Sequence, residues 1–185
     1  NQLLNEEKGY LPGFKLAITH NYNDEYLSAY ISLHENSVDY IGQTQSGQPH
    51  NTDTDEQILN IGFDLTLQKL DFFPARIVIG FKHWKWDRDI RPRNNILGLH
   101  EIYTWNELNA GLKFETETID NTRYWAQISA LYTFNPNMKI YLENTSETLD
   151  LGAEPGFRIK LGKKWIKNKI FSYNISLFTE YWSFA

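Results

Sequence analysis

The densest run of chemically capable side chains is His83-Trp84-Lys85-Trp86-Asp87-Arg88-Asp89, followed across a polar stretch by His100-Glu101 and Trp105. If the segments carrying these runs pair as a hairpin, Asp87, Asp89, His100 and Glu101 meet near one rim. Two aspartates beside a histidine and a glutamate can position a water and accept its proton, which is what a hydrolase without a side-chain nucleophile requires. The same residue types also build an ordinary rim ion-pair cluster, with Trp84, Trp86 and Trp105 anchored at an apolar–polar boundary. A second group falls in the polar stretch 35–56. There Tyr40, Gln43 and Gln45 suit hydrogen bonding to a surface ligand such as a sugar, with Trp84 and Trp86 of the first run as further candidate ligand-binding residues, and Asp53, Asp55 and Glu56 offer hard oxygen donors to a cation such as Ca²⁺. The spacing lacks the glycine and distal glutamate of a dedicated calcium loop, so a solvated turn is the simpler reading. His20, His34 and His50 are isolated, and neither a G-x-S-x-G elbow nor a phosphate-cradling glycine loop occurs. No cofactor is expected.

The elements that must position these residues are strands. Alternation with period two recurs along the chain, and no helical periodicity is sustained beyond about ten residues. Phe14, Leu16 and Ile18 alternate with Lys15, Ala17 and Thr19. After a short turn at Asn23-Asp24, Leu27, Ala29, Ile31 and Leu33 alternate with Ser28, Tyr30 and Ser32. Beyond the polar stretch, expected to be a long loop, Leu59, Ile61, Phe63 and Leu65 oppose Asn60, Gly62 and Asp64. A tight link at 71–74 leads to Ile77, Ile79 and Phe81, opposed by Arg76, Gly80 and Lys82. Leu108 to Phe114, Tyr124 to Phe134 (with Ile140 and Leu142 extending it past Pro136), Phe157 to Leu161 and Tyr173 to Tyr181 repeat the pattern. Residues 1–13, the segment 91–98 and the segment 144–155 read as loops. The total is eight strands in one domain spanning residues 1–185.

Eight alternating strands fit a membrane barrel, apolar outside, or a soluble lipocalin-like barrel, apolar inside. The polar face separates the two. It carries Lys15, Asp64, Arg76, Lys82, Glu107, Lys113, Glu115, Arg158, Lys160 and Glu180, interleaved with Gly62, Gly80, Gly111 and Gly162. Charges of both signs mixed with glycine suit a crowded interior, where long side chains pair and small ones make room. The apolar face of several strands begins and ends in aromatics, as two membrane–water interfaces select. Connections alternating between short and long fit tight periplasmic turns opposite extracellular loops. The expected architecture is therefore an all-β, antiparallel, up-and-down transmembrane barrel. The first connection is short, which suggests one further strand at each end and ten strands in the complete protein.

Composition agrees with that reading. The net charge is −5, and the scattered lysines and arginines argue against a nucleic-acid partner. The mean hydropathy of −0.52 is that of a soluble protein and equally what a membrane barrel gives, because only alternate residues of a barrel face lipid. There is no cysteine, hence no disulfide framework or thiolate metal site. Aromatic residues make up 15% of the chain, which favours strands and boundary positions.

In this pattern the chain resembles the small Gram-negative outer-membrane barrels, including OmpA-like, opacity-type and omptin proteins. The resemblance implies residence in the bacterial outer membrane, with its lipid and lipopolysaccharide as partners. It also implies function in the exposed loops toward an extracellular ligand or protein. In residue types alone, Asp87, Asp89, His100 and Glu101 are similar to the acidic and histidine residues with which omptins activate water. A narrow channel is a further alternative, although long inward side chains of both signs point to a plugged lumen.

Overall fold

The computed structural model describes residues 5–23, 25–44, 47–67, 69, 75–142, 145–167 and 172–181. Among them there is no helix. The strands are β1 (Asn5–Lys8), β2 (Gly13–Tyr22), β3 (Glu25–Gln43), β4 (Pro49–Thr66), β5 (Ala75–Ile90), β6 (Leu99–Glu115), β7 (Thr122–Leu142), β8 (Thr145–Asp150), β9 (Pro155–Ile166) and β10 (Ser172–Tyr181). All pairings are antiparallel, and the main path runs β1-β3-β4-β5-β6-β7-β9-β10. β1 and β2 lie end to end on the same edge of β3, and β8 and β9 lie end to end on β7. The ten named strands thus occupy eight positions, as the alternation predicts. The sheet curls far enough for Glu7 on β1 to hold Arg88 on β5 across its concave side. Among the described residues β2 pairs only with β3, and β10 only with β9.

The stretch 35–56 is the largest departure from expectation. Rather than a loop, it is a continuation of two strands, paired without interruption from Glu35↔Gln57 to Gln43↔Pro49. Alternation is obscured there because the convex face is largely polar and the inward face mixes Val38 and Tyr40 with polar residues such as Asn36, Thr54 and Glu56, so the hydrophobic signal of a strand is weak although the ladder is intact. β5, β6 and β7 run equally far. β7 has 21 residues, so at about 3.4 Å per residue and a tilt near 40° it rises roughly 55 Å. Because the convex face turns polar toward Asn51, one end of the sheet projects beyond its apolar zone, and the polar stretch read as the longest loop is strand, whereas 91–98 connects β5 to β6. Residues 5–8 and 145–150, likewise expected in loops, are strands too. The link at 71–74 lies outside the described residues.

The register fixes the faces. Leu59, Ile61, Phe63 and Leu65 of β4 lie on the convex side, with Asn60, Gly62, Asp64 and Thr66 turned inward. Beyond the apolar zone the convex face turns polar, through Gln57, Asp55, Asp53 and Asn51. In β7 a bulge interrupts the register: Thr104 pairs with Asn137 and Asn106 with Phe134, so Trp105 faces both Asn135 and Pro136. Asn135 takes a left-handed conformation (φ 51°), which accommodates the extra residue. Past it, Met138 and Ile140 face inward.

Candidate functional site

Inward-facing residues build three ionic layers. In the middle layer, Glu107 accepts from Arg158 Nη2 at 2.8 and 3.0 Å. It also accepts from Lys82 Nζ at 3.1 Å and Trp84 Nε1 at 3.2 Å. Arg158 donates its Nε to Glu180 at 2.5 Å. Glu107 and Arg158 are 1% and 2% exposed, so these charges sit in a protein interior, where such groups are found only when paired. Close packing enforces the inward glycines: a Cβ on Gly80 would collide with Asp64 Oδ1 and Asn109 Nδ2, and one on Gly162 with the Trp125 ring. Nearer the short-turn end, Glu115 receives Lys113 at 2.8 Å and Arg76 at 3.3 Å.

The third layer lies beyond the apolar zone. Arg88 bridges Glu7 at 2.5 Å and Glu101 at 2.6 Å, and Tyr103 donates to Glu101 at 3.1 Å. Burial, and then the Glu101 carboxylate, push the Tyr103 phenol up to about 12. Burial, reinforced by the hydrogen-bonded Glu7 carboxyl, pushes Glu56 up to about 7. Tyr40 is buried in this layer and packs edge-on against His50.

The opposite, convex face of the same extension carries an acidic groove of ≈ 750 Å³ lined by Glu35, Ser37, Asp55, Gln57, Asp87 and Asp89. Asp39 lies directly across from Asp53, and Asp55 across from Asp89. Like charges opposed in a ladder are destabilising unless compensated. Arg91 supplies part of the compensation, donating to Asp55 at 2.7 and 2.8 Å and holding that carboxyl below its usual range. His100 Nε2 meets Asp87 Oδ1 at 2.7 Å, and Lys85 reaches the same carboxylate at 3.2 Å.

The structure thus divides the candidate catalytic set. Asp87, Asp89 and His100 share the convex face, whereas Glu101 points inward to Arg88. Trp84, Trp86 and Trp105 are inward as well, with Trp84 stacked on Trp105 at 5.4 Å and Trp86 on Tyr103 at 5.1 Å. This corrects the expectation that they anchor a lipid boundary: the strand parity that places Arg88 inside places them inside too. Among the candidate ligand binders, Tyr40 is buried, Gln43 is exposed at the tip of β3, and Gln45 lies outside the described residues. Asp53 and Asp55 face outward and Glu56 inward, so they do not converge, and no metal-holding cluster occurs among the described residues.

Sequence reasoning missed Glu7, which lies in a strand too short to show alternation. Of the aromatic ends it anticipated, Tyr124, Tyr173 and Tyr181 lie at the margins of the convex apolar zone, joined there by residues it did not name as boundaries. Tyr124, Trp165 and Tyr173 flank the short-turn side of the convex apolar zone, and Tyr132, Phe157 and Tyr181 the extended side. No family model, curated protein or solved structure matches the chain, so its function is read from this geometry.

Proposed function

We propose that the chain is the transmembrane barrel of a bacterial outer-membrane protein. In this reading its lumen is plugged by side chains, and its extended end contacts an extracellular ligand, a partner protein or lipopolysaccharide. The observation that carries the proposal is inverted burial. Lys82, Glu107 and Arg158 are buried on the concave side, while Ile128, Leu161 and Leu177 on the convex side are 53%, 56% and 78% exposed. A contiguous apolar surface of this extent marks contact with a partner or a membrane. Its aromatic margins favour the membrane. A soluble lipocalin-like carrier needs an apolar interior, the opposite of the one present.

Lipid offers no hydrogen bonds to a free strand edge, so β2 and β10 require partners in a bilayer. One further strand on each edge, giving ten in all, supplies them. The extended end faces outward, as the longer side of such barrels does. Heat-modifiable gel migration of the protein extracted from outer membranes tests the proposal. A folded barrel resists SDS until boiled and then shifts in apparent mass. Soluble recovery without detergent, together with no shift, rejects it.

The second reading is a surface hydrolase, favoured by the 2.7 Å contact between His100 and Asp87 with Asp89 on the same face. It places water activation on the convex wall of the extension, without Glu101.

A further inference from the structure

Near the short-turn end, the convex face is interrupted by an apolar groove of ≈ 510 Å³ lined by Phe114, Thr116, Tyr124, Ala126 and Leu161. Its origin is a size mismatch in one cross-strand row. Phe114, Ala126 and Leu161 are direct neighbours on β6, β7 and β9, so the small Ala126 forms a floor between two large walls. The volume lies within the range of small-ligand sites, which are mainly apolar with a few polar groups at the mouth.

Lys163 stands at that mouth, directly across from Tyr124. Its ammonium lies 5.2 Å from the Tyr124 ring centroid and 4.8 Å from that of Trp165. Among the described residues no carboxylate pairs with it. At the same end Lys113 and Arg123 turn inward and are held by Glu115, which also borders the groove, whereas Lys163 stands on the convex face beside Tyr124.

From the groove and the unpaired lysine over aromatic rings beside it, we propose a binding site for one glycerophospholipid with an anionic headgroup. An acyl chain lies along Ala126 between Phe114 and Leu161. The phosphate meets Lys163, with Tyr124 and Trp165 at the level of the glycerol. The inference rests on the membrane reading, and it goes beyond nonspecific solvation by lipid because it requires headgroup preference at one position.

The test is native mass spectrometry of the full chain, extracted in detergent and supplemented with phosphatidylglycerol or phosphatidylcholine. One phosphatidylglycerol per chain is expected to survive desolvation, with about tenfold preference over phosphatidylcholine. Lys163→Gln abolishes the preference, and Ala126→Phe, which fills the groove, abolishes retention. Lys139→Gln serves as the control, because Lys139 also sits over an aromatic ring, Tyr141 at 4.8 Å, but at the opposite end. Equal retention of the two lipids, or variants that bind like the parent, overturns the inference while a heat-modifiable shift leaves the membrane reading standing. Absence of that shift in a detergent-free soluble protein removes both.

Discussion

Replacing Ile128 by arginine separates a lipid-facing surface from a water-facing one. Ile128 is 53% exposed and lies midway between Tyr124 and Tyr132 on β7, flanked in its row by Leu112 and Ile159. Its sequence neighbours Gln127 and Ser129 point the other way and are buried, so the substitution leaves the concave side untouched. If the convex face meets hydrocarbon, an arginine at this central depth costs about 2–4 kcal/mol. At about 1.4 kcal/mol per decade, that is roughly 30- to 1000-fold in the folding equilibrium. If the face meets water, a half-exposed surface substitution changes stability by no more than about 0.5 kcal/mol. The assay is urea unfolding from lipid vesicles followed by tryptophan fluorescence. Asn51→Arg, on the convex face of the projecting end, is the internal control and should be neutral. A vesicle-inserted Ile128→Arg protein as stable as the parent refutes the assignment of the convex face to lipid.

Four further outcomes are expected. Glu107→Gln leaves Lys82 and Arg158 short of a counter-charge in the middle layer and should cost about 3–5 kcal/mol in the same unfolding assay; a loss under about 1 kcal/mol would mean that Glu180 suffices for both cations. Because the folded-state pKa of Glu56 is raised, to about 7, its contribution is complete below about pH 4.5 and disappears as pH rises through 7. With the intrinsic rise of amide exchange divided out, protection of β1 and β4 should accordingly fall between pH 5 and 8 in the parent but not in Glu56→Gln; identical protection profiles contradict the hydrogen bond between Glu7 and Glu56. For the hydrolase reading, Asp87→Asn and His100→Ala should each abolish peptide or ester cleavage by intact cells, whereas survival of an established cleavage activity in both variants assigns the pair to rim structure alone. Cysteines introduced at Ala17 and Ser176, both on inward-facing sides of the two edge strands, should remain unlinked under oxidation if further strands separate those edges; rapid disulfide formation would instead indicate direct closure.

The apolar zone was legible in the sequence because one face of each strand there is apolar and the other polar. Leu59, Ile61, Phe63 and Leu65 announce β4 through that difference, and Lys82, Glu107, Arg158 and Glu180 announce the inward side. The projecting end was illegible for the converse reason. Where Glu35 and Ser37 are solvated on one side and Asn36 is polar on the other, nothing in side-chain polarity separates ladder from loop. The candidate site divides on parity. His100 and Glu101 are consecutive residues of one strand and must point to opposite faces, so a hairpin brings only His100 to Asp87 and Asp89. The Glu7–Arg88 contact joins residues 81 apart in sequence. It depends on curvature, which no local pattern encodes.

The bulge opposite Trp105 acts on side-chain direction as a frameshift acts on codons. Up to Phe134 the even-numbered residues of β7 face outward, and from Asn137 the odd-numbered ones do. Every position downstream is read in the second frame. Were the same residues paired without the bulge, the first frame would run on and the two faces of the strand's end would be exchanged: Met138 and Ile140 would turn outward, and Lys139 and Tyr141 inward. Lys139 would then occupy the position opposite Glu101 that Ile140 holds now, competing with Arg88 for its carboxylate. The extra residue at 135–136 therefore sets which chemistry the projecting end keeps inside.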